Sequence, residues 1–516
     1  MTVQAAIIES FKIYDRYFQN KYLSYILFFF TGLLAGASAP GIRIGELGFG
    51  FLIWVCLTPY FALIFTGFKK AAGLGFIFAC GYNLVYLNWY LGLYSLSWLG
   101  IDQSFSNAIP VIGLLFEVIH QSLIMTIALI LSKLSLKLNN KLNELYLIVV
   151  PVVFTSIYNL LNSYNFLGVP WTAFEYTQYQ SQLTILPVKL FSGKALMGLI
   201  IFANLGLAGL IKNFYLEFQQ NGDCLSKGLN KENLRLTYFI LGGVILWHII
   251  GCYELTFNDL DNYKEVVNIA IIQPNLSVEE RYQERIPFTT IFTTNIKLIN
   301  QCRNALVILP ENATPTNLFL NKAISIAYKL LCYKNNLKIV TGALFKDQVN
   351  HKIFNSAYSI DNTGLNGQIY HKRYLVPFGE FNPDFVNWLP KPLQEITTTP
   401  AGADFSRGQM STSLSLGKIK VTVLICFEIL YSELTQNFRD CPIIVSLSDL
   451  SWFHNSIIGE QMLSFACIRA VENYKYVIFA ANTGPSAIIS PTGKILAKTA
   501  INQRLIIQQS IRVKKD

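Results

Sequence analysis

Long uncharged runs divide the first half of this sequence, and they limit its fold more than any other feature. No charged side chain lies between Lys21 and Arg43, Glu46 and Lys69, Lys70 and Asp102, Glu144 and Glu175, Lys194 and Lys212, or Arg235 and Glu254, and only Glu117 interrupts Asp102 to Lys133. A helix needs about 20 apolar residues to cross a bilayer core. Backbone in hydrocarbon must also satisfy its own hydrogen bonds, and core strands are shorter than these runs. The pattern predicts seven spans in a membrane bundle over residues 1–255. Charge is correspondingly uneven, with 26 charged residues among the first 255 and 46 among the last 261. The whole chain is only 14% charged, against about 25% in a typical globular protein. Its 14% aromatic content and lack of low-complexity tracts exclude a disordered chain.

Connections rich in Lys and Arg stay in the cytoplasm. Lys12, Arg16, Lys21, Lys69, Lys70, Lys133, Lys137, Lys141, Lys212, Lys227, Lys231 and Arg235 fall on one side, twelve in all, against Arg43, Lys189 and Lys194 on the other. The N-terminus is therefore expected inside, and after an odd number of crossings everything beyond about Glu254 is expected outside. A cleaved signal peptide is the alternative for the first span, with Lys21, Tyr25–Leu34 and Ala37-Ser38-Ala39 as its three regions. Pro40 after the cleavage position and six later spans favour a retained helix. The net charge of +10 then reflects topology and a basic surface. With no zinc-finger spacing and no basic run interleaved with aromatics, nucleic acid is not an expected partner.

Inside the fourth span, Glu117 and His120 sit one helical turn apart, where a charge costs about 2.5–3.5 kcal/mol on insertion scales. They are candidates for a polar wall facing a lipid head group or substrate, or equally for an interhelical hydrogen bond. Gly168-Val169-Pro170-Trp171, Tyr176 and Gln178 follow the fifth span on the outer side, where aromatics usually anchor at the interface.

From Val266 the pattern changes. Val267–Gln273, Ala305–Leu309, Lys338–Gly342, Ile419–Ile425, Pro442–Leu447, Val477–Ala481 and Ala487–Ile489 read as strands, with helical spacing in Thr289–Asn304 and Asn321–Asn335. Residues 256–516 therefore predict an α/β domain. Nine cysteines without C-x-x-C, and five histidines without ligand spacing, signal no metal site. No P-loop and no G-x-G-x-x-G is present, and no cofactor is expected.

Three strand ends carry reactive groups: Val307-Ile308-Leu309-Pro310-Glu311, Tyr370-His371-Lys372 continuing to Glu380, and Leu424-Ile425-Cys426-Phe427-Glu428, the last followed by an expected helix over Ile429–Phe438. A cysteine where a strand meets a helix has its thiol pKa lowered by free N–H groups and the helix dipole. A carboxylate can take the thiol proton, and a lysine can stabilise an oxyanion. Singly, each has a plainer reading as core cysteine, solvated turn or basic surface.

Together the three segments resemble the Glu–Lys–Cys triad of the nitrilase, or carbon–nitrogen hydrolase, superfamily, most specifically in the string from Lys372 to Glu380. With the preceding bundle and Gly168–Trp171, the whole chain resembles the apolipoprotein N-acyltransferase family. The resemblance implies an α-β-β-α sandwich, with Glu311 as general base, Lys372 as stabiliser of the tetrahedral intermediate and Cys426 as nucleophile. It implies Glu380 and Glu428 as supporting carboxylates. Phe427, Trp388 and Trp452 become candidate substrate contacts, beside Glu117 and His120 of the bundle. Phe381–Ala403, with Phe385, Trp388 and Leu389, resembles the family's mobile flap, and the stretches around Arg469–Asn473 and Asn482–Gly484 match pocket wall and scaffold.

The implied reaction is transfer of an acyl chain from a phospholipid, through a Cys thioester, to a diacylglyceryl-modified apolipoprotein at the periplasmic face of a bacterial inner membrane. A membrane-tethered amidase stays open as the alternative, since the triad serves both, and a transporter has only Glu117 and His120 in its favour. Leu309, Phe427, Asp449 and His454 depart from the family's usual residues, and the expected closing apolar span is missing from the basic tail at Arg512–Asp516.

Overall fold

The computed structural model describes residues 20–514 except 100, 139–144, 164–167, 222–230, 284, 389, 392–393, 395–403, 411, 437 and 439. Lys12, Arg16, Lys141, Lys227, Cys224, Leu389 and the end of the expected flap lie outside the described residues. The chain forms two compact units. The first takes its residues from 1–90, 111–163 and 170–254, and the second from 91–110, 164–169 and 255–516. Described residues of 91–110, between apolar helices, thus belong to the second unit.

The first unit is helical, and each uncharged run contains helix. Its main helices are α1 (Lys21–Gly36), α2 (Phe68–Tyr86), α3 (Gln103–Lys137), α4 (Tyr146–Leu161), α5 (Gly193–Asn221) and α6 (Lys231–Thr256). Among the described residues α3, α5 and α6 are long and apolar enough to cross a membrane, while α1, Gly50–Phe65, α4 and Gln182–Phe191 are shorter apolar helices. Small residues let α1 and α2 approach closely. A Cβ on Gly32 would stand 2.1 Å from Phe78 O, and one on Gly81 2.3 Å from Phe29 O.

The second unit holds two six-stranded sheets. The strands are β1 (Glu265–Gln273), β2 (Leu306–Ile308), β3 (Lys338–Lys346), β4 (Ile353–Asp361), β5 (Gly364–His371), β6 (Ser413–Leu416), β7 (Ile419–Ile425), β8 (Ile443–Ser448), β9 (Tyr476–Ala481), β10 (Ala487–Ile489), β11 (Ile495–Lys498) and β12 (Leu505–Val513). One sheet runs β12-β1-β2-β3-β4-β5 and the other β11-β10-β9-β8-β7-β6. The central pairs β1–β2, β2–β3, β7–β8 and β8–β9 are parallel.

Side-chain parity sets the layers, because successive residues of a strand face opposite ways. Ile269, Ile271, Leu306, Ile308 and Val340 share a core with Val421, Val423, Ile425, Val445 and Ile478 of the other sheet. Their neighbours Ala270, Ile272, Val307 and Ile339 pack instead with Ile299, Ile324, Tyr328 and Cys332, from or beside helices α7 (Phe288–Ile299) and α8 (Lys322–Asn335). Helix α9 (Ile458–Asn473), almost wholly buried, packs on β9 and β10. This is the expected α-β-β-α sandwich.

The expected helix over Ile429–Phe438 is a correction. The chain after Cys426 makes two short 3-10 turns, Cys426–Leu430 and Ser432–Leu434, so no helix dipole of any length points at the cysteine. Glu428 turns back onto the backbone N–H of Ile425, the residue that precedes the first of these turns.

Candidate active site

Lys372 and Cys426 directly follow the ends of β5 and β7, and Glu311 comes three residues past the end of β2. Pro310 ends β2's pairing, and Gly342 on neighbouring β3 makes room for the turn. A Cβ there would stand 2.7 Å from Glu311 Cα and 2.6 Å from Asn312 N. Cys426 sits at φ +52°, a left-handed conformation that is uncommon outside glycine, Asn and Asp. Such strain persists where surroundings enforce it and clusters at functional sites.

The Lys372 ammonium, 1% exposed, lies 3.2 Å from Glu311 Oε1 and 2.9 Å from Glu380 Oε2. Asn355 on β4 donates to both carboxylates, at 2.8 Å to Glu311 Oε1 and 2.9 Å to Glu380 Oε1. Glu311's other oxygen accepts the Asp449 N–H at 2.9 Å, and Val376 N–H donates to Glu380 Oε2 at 2.9 Å. Two carboxylates thus share one buried cation and one amide, an arrangement that limits Glu311 to a single geometry.

Glu428 plays a different part. Fully buried, it accepts from Tyr370 OH, from the N–H groups of Arg373 and Tyr374, and from Ile425 N–H at 2.8 Å. It pins the residues on either side of Lys372 to the residue before Cys426. Asp449 makes the other tie. Its carboxylate pairs with Arg281 and accepts from Ser451 N–H and Oγ and from Asn482 Nδ2, while its backbone N–H holds Glu311.

Burial and charge set the protonation of these groups. Burial pushes the Glu311 carboxyl up, and nearby Glu380 and Asp449 add to this, while Lys372 and Asn355 oppose it. Burial disfavours the Lys372 ammonium, but the Glu311 and Glu380 charges outweigh it and raise its pKa. Burial raises the Cys426 thiol well above its ordinary value, Glu311 raises it further, and Lys372 and the Asp449 N–H lower it. The expectation of a helix-depressed thiol is therefore corrected: its surroundings hold the Cys426 thiol above its ordinary pKa, so its reaction calls for a base. Arg281 and the hydrogen bonds of Ser451 and Asn482 overcome burial and hold Asp449 below the usual carboxylate range.

The remaining expected residues fall elsewhere. Phe427 is buried and packs edge-to-face on Tyr431, ring centroids 5.3 Å apart, with Tyr431 against Tyr374. Trp388 is 85% exposed. Trp452 packs against Trp98, 5.4 Å between centroids, within the same unit. His454 Nδ1 lies 2.7 Å from Gly92 O, so the residue in place of the family's usual glycine meets the 91–110 segment. Glu117 and His120 belong to the first unit. Glu117 accepts from Gln121 Nε2 at 2.9 Å, His120 Nδ1 lies 3.4 Å from it, and Gln121 also donates to Asn162. Asn355 and Arg281 escaped the sequence reading, since a single Asn inside an unanticipated strand and a single Arg in a short helix carry no local motif. Among the described residues no cluster suits a metal ion, and none of the eight described cysteines is disulfide-bonded.

Two family models match the chain: the apolipoprotein N-acyltransferase N-terminal domain over residues 31–206 and the carbon-nitrogen hydrolase over residues 269–514. The chain is 27% identical over 368 residues to the apolipoprotein N-acyltransferase of Haemophilus ducreyi, covering 68% of this chain and 67% of that one. It is 24% identical over 512 residues to the one from Rickettsia typhi, covering 94% and 92%. Among solved structures, Saccharomyces cerevisiae Nit3, a member of branch 10 of the nitrilase superfamily, aligns at 18% identity with a TM-score of 0.38, over 48% of this chain and 90% of that one.

Proposed function

Since this chain belongs to the apolipoprotein N-acyltransferase family, we propose that it N-acylates lipoproteins in two half-reactions, with Cys426 as the acyl carrier. In the first, Glu311 takes the thiol proton as Cys426 Sγ attacks an ester carbonyl of a phospholipid. Lys372 stabilises the oxyanion. The ester C–O bond breaks, the lysophospholipid alkoxide takes the proton from Glu311, and a thioester remains. In the second, the α-amino group of a diacylglyceryl-cysteine attacks the thioester, Glu311 accepts the amine proton, and the Cys426 sulfur leaves and is reprotonated. A covalent intermediate splits one hard exchange between two lipids into two easier ones.

The observation that carries this reading is the Lys372–Glu311 ion pair beside a half-buried thiol that its surroundings hold above its ordinary pKa. A thiol that does not ionise by itself spends little time as an exposed nucleophile, and it becomes reactive when substrate lets Glu311 take its proton. Glu380 and Glu428 position Lys372 and the Cys426 turn. The bundle suits substrates that arrive through the bilayer, and the distribution of Lys and Arg supports a catalytic domain on the outer face of an inner membrane. The test incubates the purified chain with phosphatidylethanolamine and a synthetic diacylglyceryl-cysteine peptide. The peptide is expected to gain one acyl chain on its amine and lose reactivity towards amine reagents. Ammonia release from small amides with no peptide acylation would replace this reading with amide hydrolysis.

A further inference from the structure

We propose that the bundle carries a binding site for one intact glycerophospholipid in the groove between α4, α5 and α6. The groove is open on one side and has a volume of about 790 Å³, within the range of about 300–1,000 Å³ usual for ligand pockets. Its apolar lining includes Leu147, Ile148, Val152 and Phe202, and its polar lining includes Thr155, Asn159 and Lys194.

Two contacts set the register of its walls. A Cβ on Gly209 would meet Tyr146 Oη at 2.4 Å, and one on Gly198 would lie 4.0 Å from Thr155 Oγ1. Moving nine residues along α4 therefore moves eleven back along α5, so the two helices are antiparallel. Lys194, one turn before Gly198, lies level with Asn159, one turn after Thr155. At about 1.5 Å of rise per residue, the Thr155–Gly198 level lies roughly 6 Å deeper than the Asn159–Lys194 level. A phospholipid places its phosphate and its ester carbonyls in that order from the membrane surface.

The side chains fit those two levels. The Lys194 ammonium is exposed, whereas Lys189, five residues earlier, is paired with Glu254 at 2.7 Å. Thr155 is the independent observation. It is 8% exposed, lines the groove, and its hydroxyl has no hydrogen-bond partner. Thr and Ser inside helices commonly donate to the carbonyl four residues back, as Thr126 and Ser132 of α3 do here. A hydroxyl left unpaired among apolar walls carries a desolvation cost that an ester carbonyl at its level removes. Positive charge at the upper level and a lone donor at the lower level select a phosphodiester above an ester, and the apolar lining takes the acyl chain. The site is independent of the Cys426 chemistry.

The test uses the full-length Cys426→Ala chain, which removes acyl transfer through Cys426. It is reconstituted in nanodiscs with phosphatidylethanolamine carrying a diazirine near the end of one acyl chain, photolysed and digested. Crosslinks are expected in 147–152 and 199–202. Native mass spectrometry after detergent extraction is expected to retain one phospholipid. Thr155→Val, which preserves shape, and Lys194→Gln should each cut retention at least fivefold, and Lys194→Arg should restore it. Unchanged retention in both variants, crosslinks spread evenly over the bundle, or crosslinks from this groove to a second copy of the chain would each overturn the proposal.

Discussion

At Cys426 the charges of Glu311, Lys372 and Glu380 act on one sulfur, and their signs can be separated. Glu311 raises the thiol pKa and Lys372 lowers it, so the two substitutions should move it in opposite directions. The pH midpoint for alkylation of Cys426 by iodoacetamide is expected to fall in Glu311→Gln, where a negative neighbour is removed, and to rise in Lys372→Met. A shift in the same direction in both variants would mean that burial alone governs the thiol. Asp449 has the reverse dependence. Its carboxyl is held low in the folded chain, so its contribution to stability is present above its unfolded pKa and is lost as pH falls through the lowered value. Arg281 supplies the charge that does this, and both side chains are more than nine-tenths buried. Removing one partner of a buried pair costs about 3–5 kcal/mol. Arg281→Met should accordingly lower the unfolding midpoint of the purified chain more than Lys420→Met, which removes an exposed pair. Equal small effects would contradict the buried assignment.

Strand ends, rather than helices, organise the site, and this decides which elements tolerate change. Gly342 lets β3 pass close behind the Glu311 turn. A methyl group there must displace the carboxylate, and a displacement of about 1 Å at a reacting group can cost roughly 100-fold in rate. Gly342→Ala should reduce kcat by about one to two orders of magnitude with little change in folding, read from acylation kinetics and circular dichroism. The same elements explain what sequence could reveal. Strands β1, β2, β7, β8, β9 and β10 are buried apolar runs, and their periodicity was visible. Strand β5, Gly364–His371, is largely polar and β12 is half exposed, so neither has the pattern of a core strand, although β5 delivers Lys372. Glu311, Lys372 and Cys426 were legible through their neighbours at strand ends. Asn355 was not, because its importance comes from tertiary pairing with two carboxylates distant in sequence.

For the whole molecule, the bundle and the catalytic domain make separate, testable claims. Twelve basic residues in one set of connections against three in the other predict that the catalytic domain lies outside the cell membrane. In intact spheroplasts of a Cys252→Ala, Cys426→Ala background, a membrane-impermeant maleimide should label a cysteine replacing exposed Lys494 and spare one replacing exposed Lys70. The opposite labelling would invert the topology and remove lipoproteins exported to the periplasm as substrates. The chemistry itself reduces to one covalent bond. When wild-type chain is incubated with phospholipid bearing a labelled acyl chain and no acceptor peptide, intact-protein mass spectrometry should find a single acyl addition. Hydroxylamine should release it, tandem fragmentation should map it to Cys426, and Cys426→Ala should lack it. An adduct that survives in Cys426→Ala, or a wild-type chain that never acquires one while still acylating peptide, would contradict a thioester mechanism.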